Sequence, residues 1–160
     1  MAGSTTKKVV VRRFDRDSIT GFVSAHAYQQ PSGIELLRPD GDCVVISYEE
    51  IKSVCFVKDF DSAKEPAEGR MFQTRPKMEG LWVRMKFRDG EMLDGVLPNN
   101  LLQLDRQGYT VTPPEPYSNN QKIFVPREAL ASIQILGVIG SPLRKRVRKP
   151  ASVAQPGLFE

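Results

Sequence analysis

The stretch DCVVISYEEIKSVCFV, residues 42–57, lies over QKIFVPREALASIQIL, residues 121–136, without a gap. Val44 falls on Ile123, Ile46 on Val125, Glu49 on Glu128, Ile51 on Leu130, Val54 on Ile133 and Phe56 on Ile135. Upstream, VVVRRFDRDSITGFV (9–23) matches WVRMKFRDGEMLDGVL (82–97) with a one-residue gap at the turn, placing Phe14 over Phe87 and Gly21 over Gly95. Between these blocks, GIELLRPD (33–40) corresponds to GYTVTPPE (108–115). A repeat of this kind constrains the fold more than any single motif, because each half must carry the same series of elements.

The elements read as strands. In VRMKFRDGEML, Val83, Met85 and Phe87 alternate with Arg84, Lys86 and Arg88, a period of two that sends one face inward and the other to water. Asp89-Gly90 then supplies a tight turn, where glycine takes the positive φ that short hairpins need. Gly95, inside the next strand, marks a bend or a close backbone approach, and Gly21 does the same in the first half. The step at 126–129, opened by Pro126, is too short for a helix and suits one 3₁₀ turn between two strands. Five short bent strands with a one-turn bridge before the last describe a small closed barrel, made twice. The expected organisation is a flexible N-terminus at 1–7, a first repeat at 8–57, a linker at 58–80, a second repeat at 81–138 and a disordered basic tail at 139–160. Met71 and Phe72 are candidates to pin the linker, and two units in one chain can satisfy one pair of edge strands internally.

With these residues in view, the second repeat resembles the two sequence blocks of Sm-like proteins, the fold of eukaryotic Sm rings and of Hfq-type bacterial RNA chaperones. In that family the first block covers a hairpin with a turn glycine and a bending glycine, here Gly90 and Gly95. The second covers the last two strands around a 3₁₀ turn, here at Pro126. The resemblance spans roughly residues 8–138, extends to an uncharacterised bacterial family of paired Sm-like units, and implies an all-β fold of two tandem Sm-like/SH3-like five-stranded barrels. The residues with which Sm-type rings contact RNA are not reproduced at Leu97-Pro98-Asn99-Asn100 or Val125-Pro126-Arg127-Glu128. Asn99 and Asn100 read as a turn.

A dedicated chemical site is not expected. The single histidine, His26, sits in SAHAYQQ with no partner motif; acidic residues are scattered among basic ones; no phosphate loop, HExxH, GxSxG or calcium-loop spacing occurs. No catalytic residue, cofactor or metal is therefore assigned. Cys43 and Cys55 read as small core residues. No apolar run approaches the ~20 residues that span a bilayer, and charges stand where a signal peptide would be apolar, so the expected setting is the cytoplasm with no membrane partner.

Charge is distributed unevenly. Of 23 basic and 19 acidic residues, Arg144, Lys145, Arg146, Arg148, Lys149 and Glu160 lie in 141–160, so 1–140 is neutral. That argues against a uniformly basic nucleic-acid-binding core and makes those five residues the candidate nucleic-acid contact. Arg144 and Arg148 have the spacing of cyclic-dinucleotide PilZ receptors, which a run this dense produces by chance. The end of the chain, Gln155-Pro-Gly-Leu158-Phe159, resembles the Q-x-x-L-F peptide by which bacterial replication and repair proteins bind the sliding clamp. There Gln155 would fill a polar subsite and Leu158 and Phe159 an apolar pocket. The expectation is a non-enzymatic adaptor with a protein partner at its tail; RNA binding is the alternative.

Overall fold

The structure is a computed structural model that describes residues 6–15, 17–60, 71–72, 75–114 and 120–140. The tail residues Arg144 to Phe159 named above lie outside these. Ten strands run through the described residues: β1 (Thr6–Arg13), β2 (Ile19–Ser24), β3 (Gly33–Leu37), β4 (Cys43–Ser47), β5 (Ile51–Val57), β6 (Gly80–Phe87), β7 (Met92–Leu97), β8 (Gly108–Val111), β9 (Asn120–Pro126) and β10 (Leu130–Ile139). One-turn 3₁₀ segments at Tyr48–Glu50 and Arg127–Ala129 join β4 to β5 and β9 to β10, as the repeat requires. Pro126 caps the second of them in extended backbone. β1 starts two residues inside the stretch expected to be a flexible N-terminus, with Thr6 opposite Ser24. No helix among the described residues is long and apolar enough to cross a membrane.

All pairings are antiparallel, in a seven-stranded sheet ordered β4-β3-β2-β1-β5-β9-β8 and a three-stranded sheet ordered β10-β6-β7. One two-way bridge, Val96 with Thr112, carries the hydrogen bonding from β7 to the end of β8 at 3.0 and 3.1 Å. The succession of strands in the first half, β4-β3-β2-β1-β5, therefore recurs in the second as β9-β8-β7-β6-β10.

The register repeats too. Gly21 faces Val9 as Gly95 faces Val83, and one bulge recurs: Arg13 pairs Ile51 and Arg12 pairs Ser53, as Phe87 pairs Leu130 and Lys86 pairs Ser132. This corrects the upstream alignment. Phe14 corresponds to Arg88, not Phe87, and the gap at the turn disappears: the Phe14 N–H donates to Glu50 O at 3.2 Å as the Arg88 N–H donates to Ala129 O at 2.9 Å.

The expected closure into barrels is not what the ladders form; neither sheet closes. β5, which would have to return to β4, pairs instead with β9 of the second half: Val54 with Phe124, Cys55 with Ile123, Phe56 with Lys122. The cores are shared as a consequence. Val9, Val11 and Val54 pack with Ile34, Leu36 and Phe124, whereas Val10, Cys55 and Val57, on the opposite faces of the same strands, pack with Val83, Met85, Phe87 and Ile123. Strands covered on both faces read as continuous apolar runs, and VVV in β1 is one. Cys43, expected in a core, is exposed on β4, while Cys55 is buried; both are free.

Candidate binding groove at the seam between the halves

β1, β5 and β9 bring residues far apart in sequence to one side of the seam. An open groove of about 470 Å3 lies there, lined by Lys7 and Lys8 of β1, Phe56 of β5, Lys122 of β9, Thr110 of β8 and Tyr28 from the loop before β3. Lys122 stands directly opposite Phe56, so cation and ring share the wall by register alone. Lys8 also sits 5.8 Å from the ring centre of Phe60, which meets Phe22 edge-on at 5.5 Å.

Tyr28 forms the floor. Its ring lies edge-on to Phe56 at 5.6 Å and to Phe124 at 5.9 Å, tying the loop to both halves. Its hydroxyl accepts from Gln29 Nε2 at 3.0 Å, and its pKa is raised above the ordinary phenol value, first by burial and further by the nearby Asp105 carboxylate. The Tyr48 hydroxyl donates to the Gln30 carbonyl at 2.6 Å and fixes the same loop; burial pushes its pKa up to about 12. Both phenols stay protonated and neutral at ordinary pH, so the groove's charge comes from its three lysines.

Two ionic clusters stand apart from this groove, the first tying the halves together and the second within the second half. Lys52, on β5 and buried, donates to Asp89 at 2.7 Å and to Glu91, both in the β6–β7 turn, and lies 5.1 Å from the Phe87 ring centre. Burial works to lower the Lys52 pKa, but the hydrogen bonds and charges of Asp89 and Glu91 outweigh it and the pKa is raised. For Asp89, partial burial acts upward and is outweighed by Lys52 and by backbone N–H donors, leaving its pKa lowered. Next to it the Arg88 guanidinium stacks 3.9 Å over Phe14 and donates to the carbonyls of Glu49 at 2.6 Å and Glu128 at 3.2 Å, so one side chain ties both 3₁₀ bridges. Farther along, fully buried Asp94 accepts from Arg84 at 2.8 and 3.1 Å, from the Trp82 indole at 3.4 Å and from the Phe72 N–H at 3.1 Å. Arg84's hydrogen bonds to the Asp94 carboxylate raise the Arg84 pKa. Phe72 does pin the end of the linker, stacking edge-on to Trp82 at 6.3 Å; Met71 stays exposed.

The glycines expected to shape the strands do so. A Cβ on Gly21 would sit 2.6 Å from Leu37 O, and one on Gly95 2.6 Å from Val111 Cβ, so each marks the crossing of the next strand. Gly90 takes φ +97 in its hairpin. Asn100 caps its own loop, accepting from Leu102 N–H at 3.0 Å, and His26 is exposed in a turn. The candidate tail residues Gln155, Leu158 and Phe159, and the basic Arg144, Lys145, Arg146, Arg148 and Lys149, lie outside the described residues. Among the described residues no group of three or more His, Cys, Asp or Glu is placed to hold a metal.

Sequence reading missed the groove and both clusters. The Arg84–Asp94 pair had a usable signal, since a hairpin centred on Asp89-Gly90 puts those two residues opposite one another. Lys52 and Lys122 had none, because their partners come from the other half.

What fold and groove define is a class: all-β proteins made of two repeated antiparallel units joined edge to edge, with a basic and aromatic groove at the junction. Residues 5–137, which include both repeats, match a family of unknown function (DUF6982), and the chain belongs to that family. No curated protein and no solved structure matches the chain.

Proposed function

We propose that the protein is a non-catalytic binding adaptor built from two fused Sm-like units, each the open-sheet form of a small barrel. The Sm-like reading is supported by the strand succession common to both halves and by the 3₁₀ bridge before the last strand of each. The observation that carries the binding reading is the seam groove, where Lys7, Lys8 and Lys122 stand over Phe56 and Tyr28. Such a wall suits an extended anionic partner, with charge attracting it and apolar surface holding it. The described ionic pairs with short contacts, Lys52 with Asp89 and Arg84 with Asp94, tie strands and turns together.

The second contact in this proposal is the C-terminal peptide, with Gln155, Leu158 and Phe159 entering the sliding clamp and Arg144 to Lys149 adding salt-dependent attraction to DNA. Its support is the order of those residues. Titrating the tail peptide against the clamp, with Leu158→Ala and Phe159→Ala as controls, tests it directly. Absence of binding by the unaltered peptide removes the clamp from the proposal and leaves the groove.

RNA binding is the second reading, and the groove favours it. Anisotropy with a fluorescent single-stranded oligoribonucleotide separates the two. Binding that survives deletion of 141–160 and is lost in Lys122→Glu belongs to the groove; binding lost with the deletion belongs to the tail.

A further inference from the structure

The register of the three-stranded sheet brings three strand ends together. Gly80, at the start of β6, pairs with Ile139 at the end of β10, and Leu81 pairs with Leu97 at the end of β7. The loop after β7, which opens PNNLLQL (98–104), therefore leaves the fold beside the point where the chain runs on from Gly140. Pro98 and Asn99 share the wall of one cavity with Val138 and Ile139.

This loop turns two leucines outward. Leu101 is 80% exposed and Leu102 95%, more than any other large apolar side chain among the described residues. The turn is held from within: Asn100 Oδ1 accepts from the Leu102 N–H at 3.0 Å, the Gln103 N–H donates to Asn100 O at 2.9 Å, and Leu104 packs against the core. Single exposed leucines are ordinary, but an adjacent pair on a fixed turn is a wedge. No charge lies between Pro98 and Leu104, so the wedge enters an apolar medium without taking an ion with it. Cations stand around it. Exposed Arg75 donates to the Val138 carbonyl at 2.9 Å, and exposed Lys77 lies two residues before Glu79, which lines the cavity that Asn99 lines. In the twenty residues after Gly140 the sequence adds Arg144, Lys145, Arg146, Arg148 and Lys149 against one acidic residue, Glu160.

We propose that this end of the molecule docks on an anionic lipid bilayer, with Leu101 and Leu102 entering just below the headgroups while Arg75, Lys77 and the tail cations meet the lipid charges. Either signal alone attaches a protein only marginally; an apolar anchor together with a polybasic run makes peripheral attachment stable. The cations by themselves suit DNA equally well, but its charged backbone offers no apolar interior to receive the leucines. A partner protein would need an apolar pocket ringed by acidic residues, whereas an anionic bilayer presents both properties everywhere on its surface. The expectation of no membrane partner rested on the lack of a spanning segment, and a peripheral contact needs none. It uses neither the groove lysines nor Gln155, Leu158 and Phe159, so it stands whether or not the tail takes a clamp.

The full chain is sedimented with vesicles of phosphatidylcholine alone and with vesicles containing about a third phosphatidylserine. It pellets with the second and stays in solution with the first. Leu101→Ser together with Leu102→Ser weakens vesicle binding about tenfold, with an unchanged melting temperature and any affinity for duplex DNA unaltered. Arg144→Gln, Lys145→Gln, Arg146→Gln, Arg148→Gln and Lys149→Gln together also release the protein from the vesicles. An environment-sensitive dye on Leu102→Cys, in a Cys43→Ser background with Cys55 buried, shifts its emission to the blue on the anionic vesicles. No pelleting, equal pelleting with both vesicles, binding indifferent to the two leucines, or an unshifted dye overturns the proposal. So do leucine substitutions that weaken DNA and vesicle binding alike, or that lower the mass in light scattering, which would make the wedge a contact between proteins.

Discussion

Phe124 belongs to the second repeat by sequence and to the first half's core by packing, and its removal measures how far the two halves are one folding unit. The ring is fully buried on β9 among Val9, Val11, Ile34, Leu36 and Val54 and meets Tyr28 edge-on at 5.9 Å. Phe124→Ala leaves a cavity walled mainly by the other repeat, and truncations of this kind cost about 3–5 kcal/mol. Against a total stability of about 5–15 kcal/mol that is a large share. At about 2–4 °C per kcal/mol for a chain of this size, melting falls by roughly 6–20 °C. The assay is thermal unfolding followed by two reporters: fluorescence of Trp82, the single tryptophan, on β6 of the second half, and near-ultraviolet dichroism of Tyr28 and Tyr48 in the first. With shared cores both signals move together to the lower temperature. If the Trp82 transition keeps its midpoint while the tyrosine signal melts early, or if the unaltered protein shows two transitions, the halves are independent barrels and the reasoning from the seam is wrong.

Other outcomes follow from single contacts. Gly108→Ala drives a Cβ into the Val125 carbonyl and should cost about 1–3 kcal/mol, while Gly137→Ala, whose Cβ meets nothing nearer than 3.8 Å, should stay within about 0.5 kcal/mol; equal effects in urea titrations would refute the distinction. Asp94→Asn removes the charge that Arg84, Trp82 and Phe72 share and should cost about 1–3 kcal/mol with a changed Trp82 emission; an unchanged spectrum and midpoint would count against the cluster. The Lys52 cluster sets a pH window with a definite sign. Asp89 is lowered from 3.8, so its contribution is full above that value and is lost as pH falls through its folded pKa; Lys52 is raised from 10.5, so its contribution is full below 10.5 and is lost as pH rises through its folded pKa. The stability gap between the unaltered protein and Lys52→Met should shrink at both extremes, and a gap that stays constant as pH is lowered from about 5 to about 2 would contradict the assignment.

How much was legible depended on whether the interaction was local. The bends at Gly21 and Gly95, the Gly90 hairpin, the 3₁₀ step at Pro126 and the alternation in β6 rest on backbone sterics and on a period of two, which act over a few residues. Likeness superposes Phe14 on Phe87, whereas hydrogen-bond register, set by partners distant in sequence, puts Arg88 where Phe14 stands. Phe14 and Arg88 then stack on each other, 3.9 Å apart, at the junction of the halves.

The sequence by itself determined that the chain is built twice from antiparallel strands in the same order, because the periodicity, turn glycines and repeat are written in consecutive residues. It also holds the tail peptide, Gln155, Leu158 and Phe159, entirely in its own letters. Only the tertiary structure decided that β5 gives its edge to β9, that Val10 and Cys55 face the second half's core while Val9 and Val54 face the first, and that Lys7, Lys8 and Lys122 converge on Phe56 and Tyr28. The physical reason is that an edge strand's hydrogen-bonding groups are the same whichever partner they take. The choice between closing a barrel and joining a neighbour is made by what lies alongside in space.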